Sequence, residues 1–323
     1  MKMMNRLAVL AATLMGMATA PALAESYPDR PVTVLIGYAA GSSTDLVGRI
    51  VTQGLAEEWG QPVVVANRGG AAGNLAAGAA AKSAPDGYTL LFAQNGLAIS
   101  VALNPKLQFD GNKDLTPVAM AAATPHILVV NPSSPAKSVK DLIDLAKKKP
   151  GQLNFSSAGI GNSDHMAGEM FKAMTGIETT HVPYRGGNAA ASDVVGGQID
   201  YYFAGMPVGL PLHQSGRLRA LAVTSKQRFP GAPELPTMQE AGLSEYEHAL
   251  WQGFFVPAGT PQAIIDKISS SVLKVLAKPE IKERFATAGI QIAPMNQAEF
   301  AALYHSDIER WKKIAATAHI KLD

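Results

Sequence analysis

Val32-Thr33-Val34-Leu35-Ile36-Gly37-Tyr38-Ala39-Ala40-Gly41-Ser42-Ser43-Thr44-Asp45 reads as a buried strand, a loop of small residues and the start of a helix. The apolar run Val32–Ile36 shows no polar alternation, as expected where both faces of a parallel sheet are covered. Leu46, Val47, Ile50, Val51 and Leu55 then recur at helical spacing. Between them, glycine and hydroxyl residues leave backbone N–H groups uncovered at the positive end of a helix, a geometry that suits an anion. No catalytic motif accompanies the loop, so the stretch points to capture of an anion.

The same alternation continues. Pro62–Ala66 and Tyr88–Ala93 read as further buried strands, and Asn74–Lys82 as a short alanine-rich helix behind a glycine loop. The pattern resumes with strand His126–Asn131, helix Ser138–Lys149, strand Leu153–Ser157 and helix Ser163–Thr175, the last with Met166, Met170, Phe171 and Met174 on one face. Strand Thr179–Val182, a helix over Asn188–Val195, and strands Ile199–Ala204 and Leu218–Thr224 complete this block. Such βαβ alternation implies parallel sheets with helices on both faces, here as two similar blocks. Beyond Ser225 the texture changes to a proline-rich loop over Phe229–Pro236, a strand-like Gln252–Pro257, and helices near Pro261–Ala277, Pro279–Ala288 and Gln297–Ala318. Leu303, Ile308, Trp311 and Ile314 predict that the last helix packs lengthwise.

Residues 1–24 read as a cleavable targeting segment. Lys2 and Arg6 make a basic start, Leu7–Met17 is apolar, and Ala22-Leu23-Ala24 fits the small-residue cleavage rule. The apolar run is shorter than the roughly 20 residues that span a bilayer. A mature chain of roughly 300 residues suggests about two domains. Without Lys2 and Arg6 the formal charge of +2 falls to near zero. No basic stripe or interleaved aromatic pattern points to nucleic acid. The sequence has no cysteine, so neither a disulfide nor a lipidated cysteine is available and the core must carry the stability. Lys147-Lys148-Lys149 falls in the last turn of a predicted helix, where the macrodipole favours cations.

An ordered set of segments resembles the Bug, or TctC-like, extracytoplasmic solute receptors of the tripartite tricarboxylate transporters. They are Tyr27-Pro28-Asp29-Arg30-Pro31, the Gly37–Asp45 loop, Asn67-Arg68 with Gly73-Asn74, and Ala84-Pro85-Asp86-Gly87-Tyr88-Thr89-Leu90. Then come Ser157–Ser163 with His165, Val182-Pro183-Tyr184-Arg185-Gly186, and Gly196-Gly197-Gln198-Ile199-Asp200. Leu218–Thr224 and Trp251 before Pro257-Ala258-Gly259-Thr260-Pro261 complete the set. The resemblance implies a type II periplasmic-binding-protein fold, with two α/β lobes, each a mainly parallel sheet flanked by helices, facing across a cleft. Lobe 1 is placed at residues 25–123 and 226–323, and lobe 2 at 124–225. It implies a periplasmic receptor for a small di- or tricarboxylate, acidic amino acid or aromatic acid, a monomer without cofactor or metal. The implied partners are the permease subunits of a tripartite tricarboxylate transporter, or in a variant a sensor kinase. Two loops depart from the family pattern: Ser42 replaces a second glycine and Gly37-Tyr38 stands where Pro-Phe is common, and Ala66-Asn67-Arg68-Gly69 replaces Glu-Asn-Arg-Pro.

The expected ligand contacts are Tyr38, Ala40, Gly41, Ser42, Ser43, Thr44 and Asp45 of the first loop, with Gly73, Asn74, Gln94 and Asn95 from the rest of lobe 1. From lobe 2 they are Ser157, Ala158, Gly161, Asn162, Ser163, His165, Tyr184, Arg185, Ala204 and Gly205. Each has a structural alternative. Ser42 and Asp45 have capping-box spacing, and Asp45 is better placed to fasten the loop than to face an anion. Asn74 suits an N-cap, Gln94 and Asn95 a hinge, Arg185 a surface ion pair, and His165 local packing. The N-terminus of the Ser163 helix is expected to take the ligand's other end. An enzyme is the rival class: Asp45, His165, His181 and many serines are present. Against a hydrolase, the chain has no Gly-x-Ser-x-Gly elbow at a strand–helix turn and no nucleotide or zinc fingerprint.

Overall fold

The computed structural model describes residues 27–318; the expected targeting segment lies outside the described residues. The elements are β1 (Val32–Ile36), α1 (Ser43–Trp59), β2 (Val63–Asn67), α2 (Asn74–Ala81), β3 (Thr89–Gln94), α3 (Gly96–Leu103) and β4 (Leu115–Val130). Then follow α4 (Val139–Lys148), β5 (Asn154–Ser157), α5 (Ser163–Thr175), β6 (Thr180–Pro183), α6 (Gly187–Val195), β7 (Tyr201–Gly205), α7 (Met206–Gln214) and β8 (Arg219–Val223). The chain closes with β9 (Ala249–Pro257), α8 (Gln262–Ala277), α9 (Pro279–Thr287), β10 (Ile292–Met295) and α10 (Gln297–Ala318).

Two half-sheets share β4. The parallel runs implied by the βαβ pattern are β2-β1-β3 in one and β7-β5-β6 in the other. Antiparallel strands join them: β9 lies between β3 and β4, β10 pairs with β4, and β7 and β8 also pair with β4. The crossing within β4 is abrupt. Pro125 still pairs with Ala249 of β9, whereas the next residue, His126, pairs with Gly205 of β7. The return crossing runs from β8 to β9. Thr224 ties the two crossings together: its Oγ accepts the His126 N–H at 2.8 Å and donates to the His248 carbonyl at 2.6 Å. The Thr224 N–H also donates to the His126 carbonyl, and the His248 N–H to the Thr224 carbonyl.

Side-chain alternation sorts each half-sheet into two cores. Val32, Val34 and Ile36 of β1 pack towards α1 and α8, while Leu35 packs with the alanines of α2 and with Phe300 and Tyr304 of α10. In the second half, Leu128, Val130, Tyr201 and Phe203 face α4 and α5, and Ile127, Val129, Tyr202 and Ala204 face α6 and α7. Each large apolar side chain so buried contributes about 1.5–3 kcal/mol. The last helix packs lengthwise: Phe300, Tyr304 and Ile308 join the first lobe's core, and Trp311 joins the second's.

Several elements differ from the sequence reading. β4 begins at Leu115, well before His126: Pro117 and the alanines at 119 and 121–123 have weak strand propensity and are held extended by pairing with β9. Helices α3 and α7 and strand β10 are additional. α3 is apolar on all sides, so it shows no helical period, and α7 carries Pro207 and Pro211.

Candidate functional site

The first loop is built around Ser42 and Asp45. Ser42 is the N-cap of α1, and its Oγ accepts the Asp45 N–H at 3.2 Å. Asp45 takes the Gly41 N–H at 2.9 Å, the Arg49 Nε at 2.9 Å and the Asn67 amide at 2.7 Å. Burial alone would raise its pKa; Arg49, Asn67 and the Gly41 N–H outweigh that and hold it below the usual carboxylate range. Asp45 is therefore a loop fastener, and the Gly41 N–H is spent on it. The next N–H groups, of Ser43 and Thr44, have no acceptor among the described residues. They are the orphan donors of a helix start, and both residues line the gap between the lobes.

The first loop lies directly on the second. A Cβ on Gly37 would sit 2.5 Å from the Gly73 Cα, so only glycine permits this approach. The Tyr38 hydroxyl donates to the Ala72 carbonyl at 2.8 Å. Ala71 and Ala72 both hold positive φ, at 48° and 54°. Such backbone costs about 1–2 kcal/mol per residue and is held here at the cleft edge.

The lobes touch across the gap. Gln94 donates to the Asn162 side-chain oxygen at 2.6 Å, and Asn188 to the Gly41 carbonyl at 3.3 Å. A Cβ on Gly205 would lie 2.8 Å from the Ser43 Oγ. This contact leaves an inner chamber of about 40 Å³, lined by Tyr38, Ser42, Ser43, Thr44, Gln94, Ala158, Asn162, Ser163 and Gly205 among the expected residues. Outside it opens a mouth of about 840 Å³, where Gly73, Tyr184 and Arg185 join Tyr38 and Ala158. Arg185 is exposed and has no ion pair among the described residues, so the surface-pair alternative does not apply. Tyr184 donates its hydroxyl to Asp193.

The other expected contacts line neither space. Ala40 and Gly41 lie on the exposed rim, and Ala204 is buried within β7. Asn74 is the first residue of α2, not its cap, and donates to the Ser100 Oγ. Asn95 holds the start of β9 through the Ala249 and Trp251 carbonyls, which is the hinge alternative. Ser157, Gly161 and His165 lie behind the chamber wall. The Ser157 Oγ is 2.6 Å from His181 Nε2, the Gly161 N–H donates to His165 Nδ1, and the two imidazoles stack at 3.9 Å. Burial lowers the pKa of His165 to about 3 and of His181 to about 4, so both are neutral near pH 7.

The N-terminus of α5 is not an open anion site. The Asn162 side chain accepts the Ser163 N–H, and Asp164 accepts the His165 N–H on Oδ1 and the Ala158 N–H on Oδ2. The Tyr202 hydroxyl also donates to Asp164, at 2.8 Å. Asp164, Tyr202 and His126 all line the inner chamber, and the sequence reading missed all three. Burial raises the Asp164 pKa to about 6 against these donors and lowers that of His126 to about 3. An acidic residue in a first helical turn reads as ordinary dipole compensation, so only its burial at the chamber sets Asp164 apart.

Comparison with known proteins agrees with this architecture. Residues 47–320 match the family model for the tripartite tricarboxylate transporter family receptor. Protein BugT of Bordetella pertussis is 34% identical over 325 residues, covering 99% of this chain and all of that one. A UPF0065 protein from the tcbD-tcbE intergenic region of Pseudomonas sp. strain P51 is 35% identical, covering 96% and 94%. Among solved structures, R. palustris Rpa4515 with adipate superposes with a TM-score of 0.88 at 34% identity, covering 91% of this chain and 99% of that one. MatC from Rhodopseudomonas palustris with bound malate gives 0.84 at 32% identity, covering 89% and 99%. No described helix is long and apolar enough to cross a membrane. With its paired α/β lobes and a family match over most of its length, the chain belongs to the tripartite tricarboxylate transporter receptor family.

Proposed function

We propose that this protein is a periplasmic receptor that captures a small organic acid between its lobes and delivers it to the permease subunits of a tripartite tricarboxylate-type transporter. Residues 25–123 and 226–323 form one lobe in this reading, and 124–225 the other; the change of partner strand between Pro125 and His126 supports that division. The observation that carries the function is the pair of unspent N–H groups, Ser43 and Thr44, at the positive end of a long helix facing a chamber between the lobes. A buried carboxylate must recover its lost hydration from such donors, and charge-assisted bonds of this kind are roughly twice as strong as neutral ones. The adipate- and malate-bound relatives support the acid as cargo.

The protein acts by binding, without turnover. Of the two serine–histidine pairs among the described residues, Ser157 with His181 does not line the chamber, and the Ser157 Oγ also takes the Gly159 N–H. Ser163 does line it, 2.8 Å from His248 Nε2, but burial holds that imidazole's pKa well below its usual value and makes it a poor general base. Native mass spectrometry of the purified protein, followed by a thermal-shift screen with carboxylic acids, tests the proposal. One class of acid should raise the melting temperature and be recovered unchanged; conversion of a hit into product would overturn the reading.

A further inference from the structure

The two helices that point into the chamber are not equivalent. α1 presents unspent N–H donors at Ser43 and Thr44. α5 presents a carboxylate of its own, Asp164, which is 4% exposed and occupies the Ala158 and His165 N–H donors. No lysine or arginine lines the inner chamber. His126 lies at the same chamber, is 2% exposed, and its Nδ1 has no partner among the described residues. A doubly charged acid would put one of its ends against Asp164, where like charges cannot both be ionised cheaply. A carboxylate offers about four lone-pair directions. Asp164 has filled three with Ala158, His165 and Tyr202, leaving one acceptor position on a carboxylate that lines the chamber.

We infer that the ligand is an acid with two unlike ends: a carboxylate set against Ser43 and Thr44, and an N–H donor, an ammonium or a primary amide, set against Asp164. This rests on the receptor reading and narrows its ligand class from dicarboxylates to amino- or amide-bearing carboxylates. Asp164 is the specificity-determining residue. Its charge pairs with an ammonium or accepts from an amide, and it repels a second carboxylate.

Titration calorimetry of the intact protein with matched pairs tests the inference: 4-aminobutyrate against glutarate, succinamate against succinate, and 4-carbamoylbenzoate against terephthalate. In at least one pair the nitrogen-bearing acid is expected to bind tenfold or more tightly than its dicarboxylate at pH 8. Asp164→Asn should erase or reverse that preference. Should the variant not fold, a pH series on the unaltered protein reads the same property. Tyr202 from β7 bonds Asp164, Tyr38 from the first loop feels its charge, His165 follows it on α5 and His126 from β4 lines the same chamber, and none of these groups changes charge between pH 5 and 8. Affinity for the nitrogen-bearing acid should therefore fall as pH drops through about 6, as Asp164 takes up its proton. Dicarboxylates binding more tightly at pH 8 in every pair that binds, with Asp164→Asn preserving that order, would overturn the inference and leave the receptor reading standing. No saturable binding by any of these acids would count against both.

Discussion

Replacing Ser43 by proline removes one backbone donor and little else. Ser43 is the first residue of α1, where proline is favoured because its missing N–H has no helical partner. The preceding residue, Ser42, already holds φ −70° and ψ 162°, the extended conformation that a following proline requires. Fold stability should therefore change by less than about 1 kcal/mol, with the restricted unfolded chain favouring a small gain. Binding should suffer. The Ser43 N–H is one of the two unspent donors at the chamber, and a hydrogen bond to a charged group is worth about 1.5–3 kcal/mol, or roughly 10- to 150-fold in affinity. Ser43→Ala is the control, since it loses the hydroxyl and keeps the N–H; the difference between the two variants isolates the donor. Calorimetry with the acid that co-purifies, alongside thermal melts, reads both quantities. Equal affinities for the proline and alanine variants, both folded, would refute the assignment of this helix end as the carboxylate site.

Gly37→Ala would drive a Cβ to within 2.5 Å of the Gly73 Cα, backbone against backbone, and should cost about 1–3 kcal/mol, read as a lower melting temperature. Thr224→Val keeps the shape of the crossing but strands the buried His126 N–H, at about 1–3 kcal/mol in denaturant unfolding. Because burial lifts the Asp164 pKa from 3.8 to about 6, its ionisation opposes folding above pH 6. The unaltered protein should therefore lose stability as pH rises from about 4 through 6, and Asp164→Asn, which cannot ionise, should lose that pH dependence in melts. Asp45 has the opposite sign: its lowered pKa contributes stability that is complete above the ordinary carboxylate value and lost as pH falls through the folded value. Melts of Asp45→Asn should show a deficit at pH 7 that shrinks in acid.

Local chemistry was legible in the sequence and long-range closure was not. The limits of α5 follow from Asn162 as its cap and Gly176 at its left-handed end, and the first loop follows from the spacing of Ser42 and Asp45. Helix α7 is not legible, since Gly209 and Pro211 argue against it and packing on β4 and β7 overrides them, although Pro207 suits its first turn. The first part of β4 is likewise a strand only because β9 lies beside it. The candidate site divides in the same way. Ser43 and Thr44 are marked by their own neighbours, whereas His126, Asp164 and Tyr202 meet only once three separate elements have folded around the chamber. The filling of the Ser163 and His165 N–H donors of α5 by Asn162 and Asp164, and of the Gly161 N–H before it by the His165 ring, depends on rotamers that spacing does not specify.

The single hydroxyl of Thr224 that laces both crossings has a mechanical outcome. It grips the His126 amide and the His248 carbonyl together, so flexing one connecting strand without the other requires breaking a buried hydrogen bond. Such a coupling favours a swing of the two halves about one shared axis. In the proposed receptor, closure on a ligand would then move the outer rims together, a displacement open to recognition by a permease that never touches the cargo.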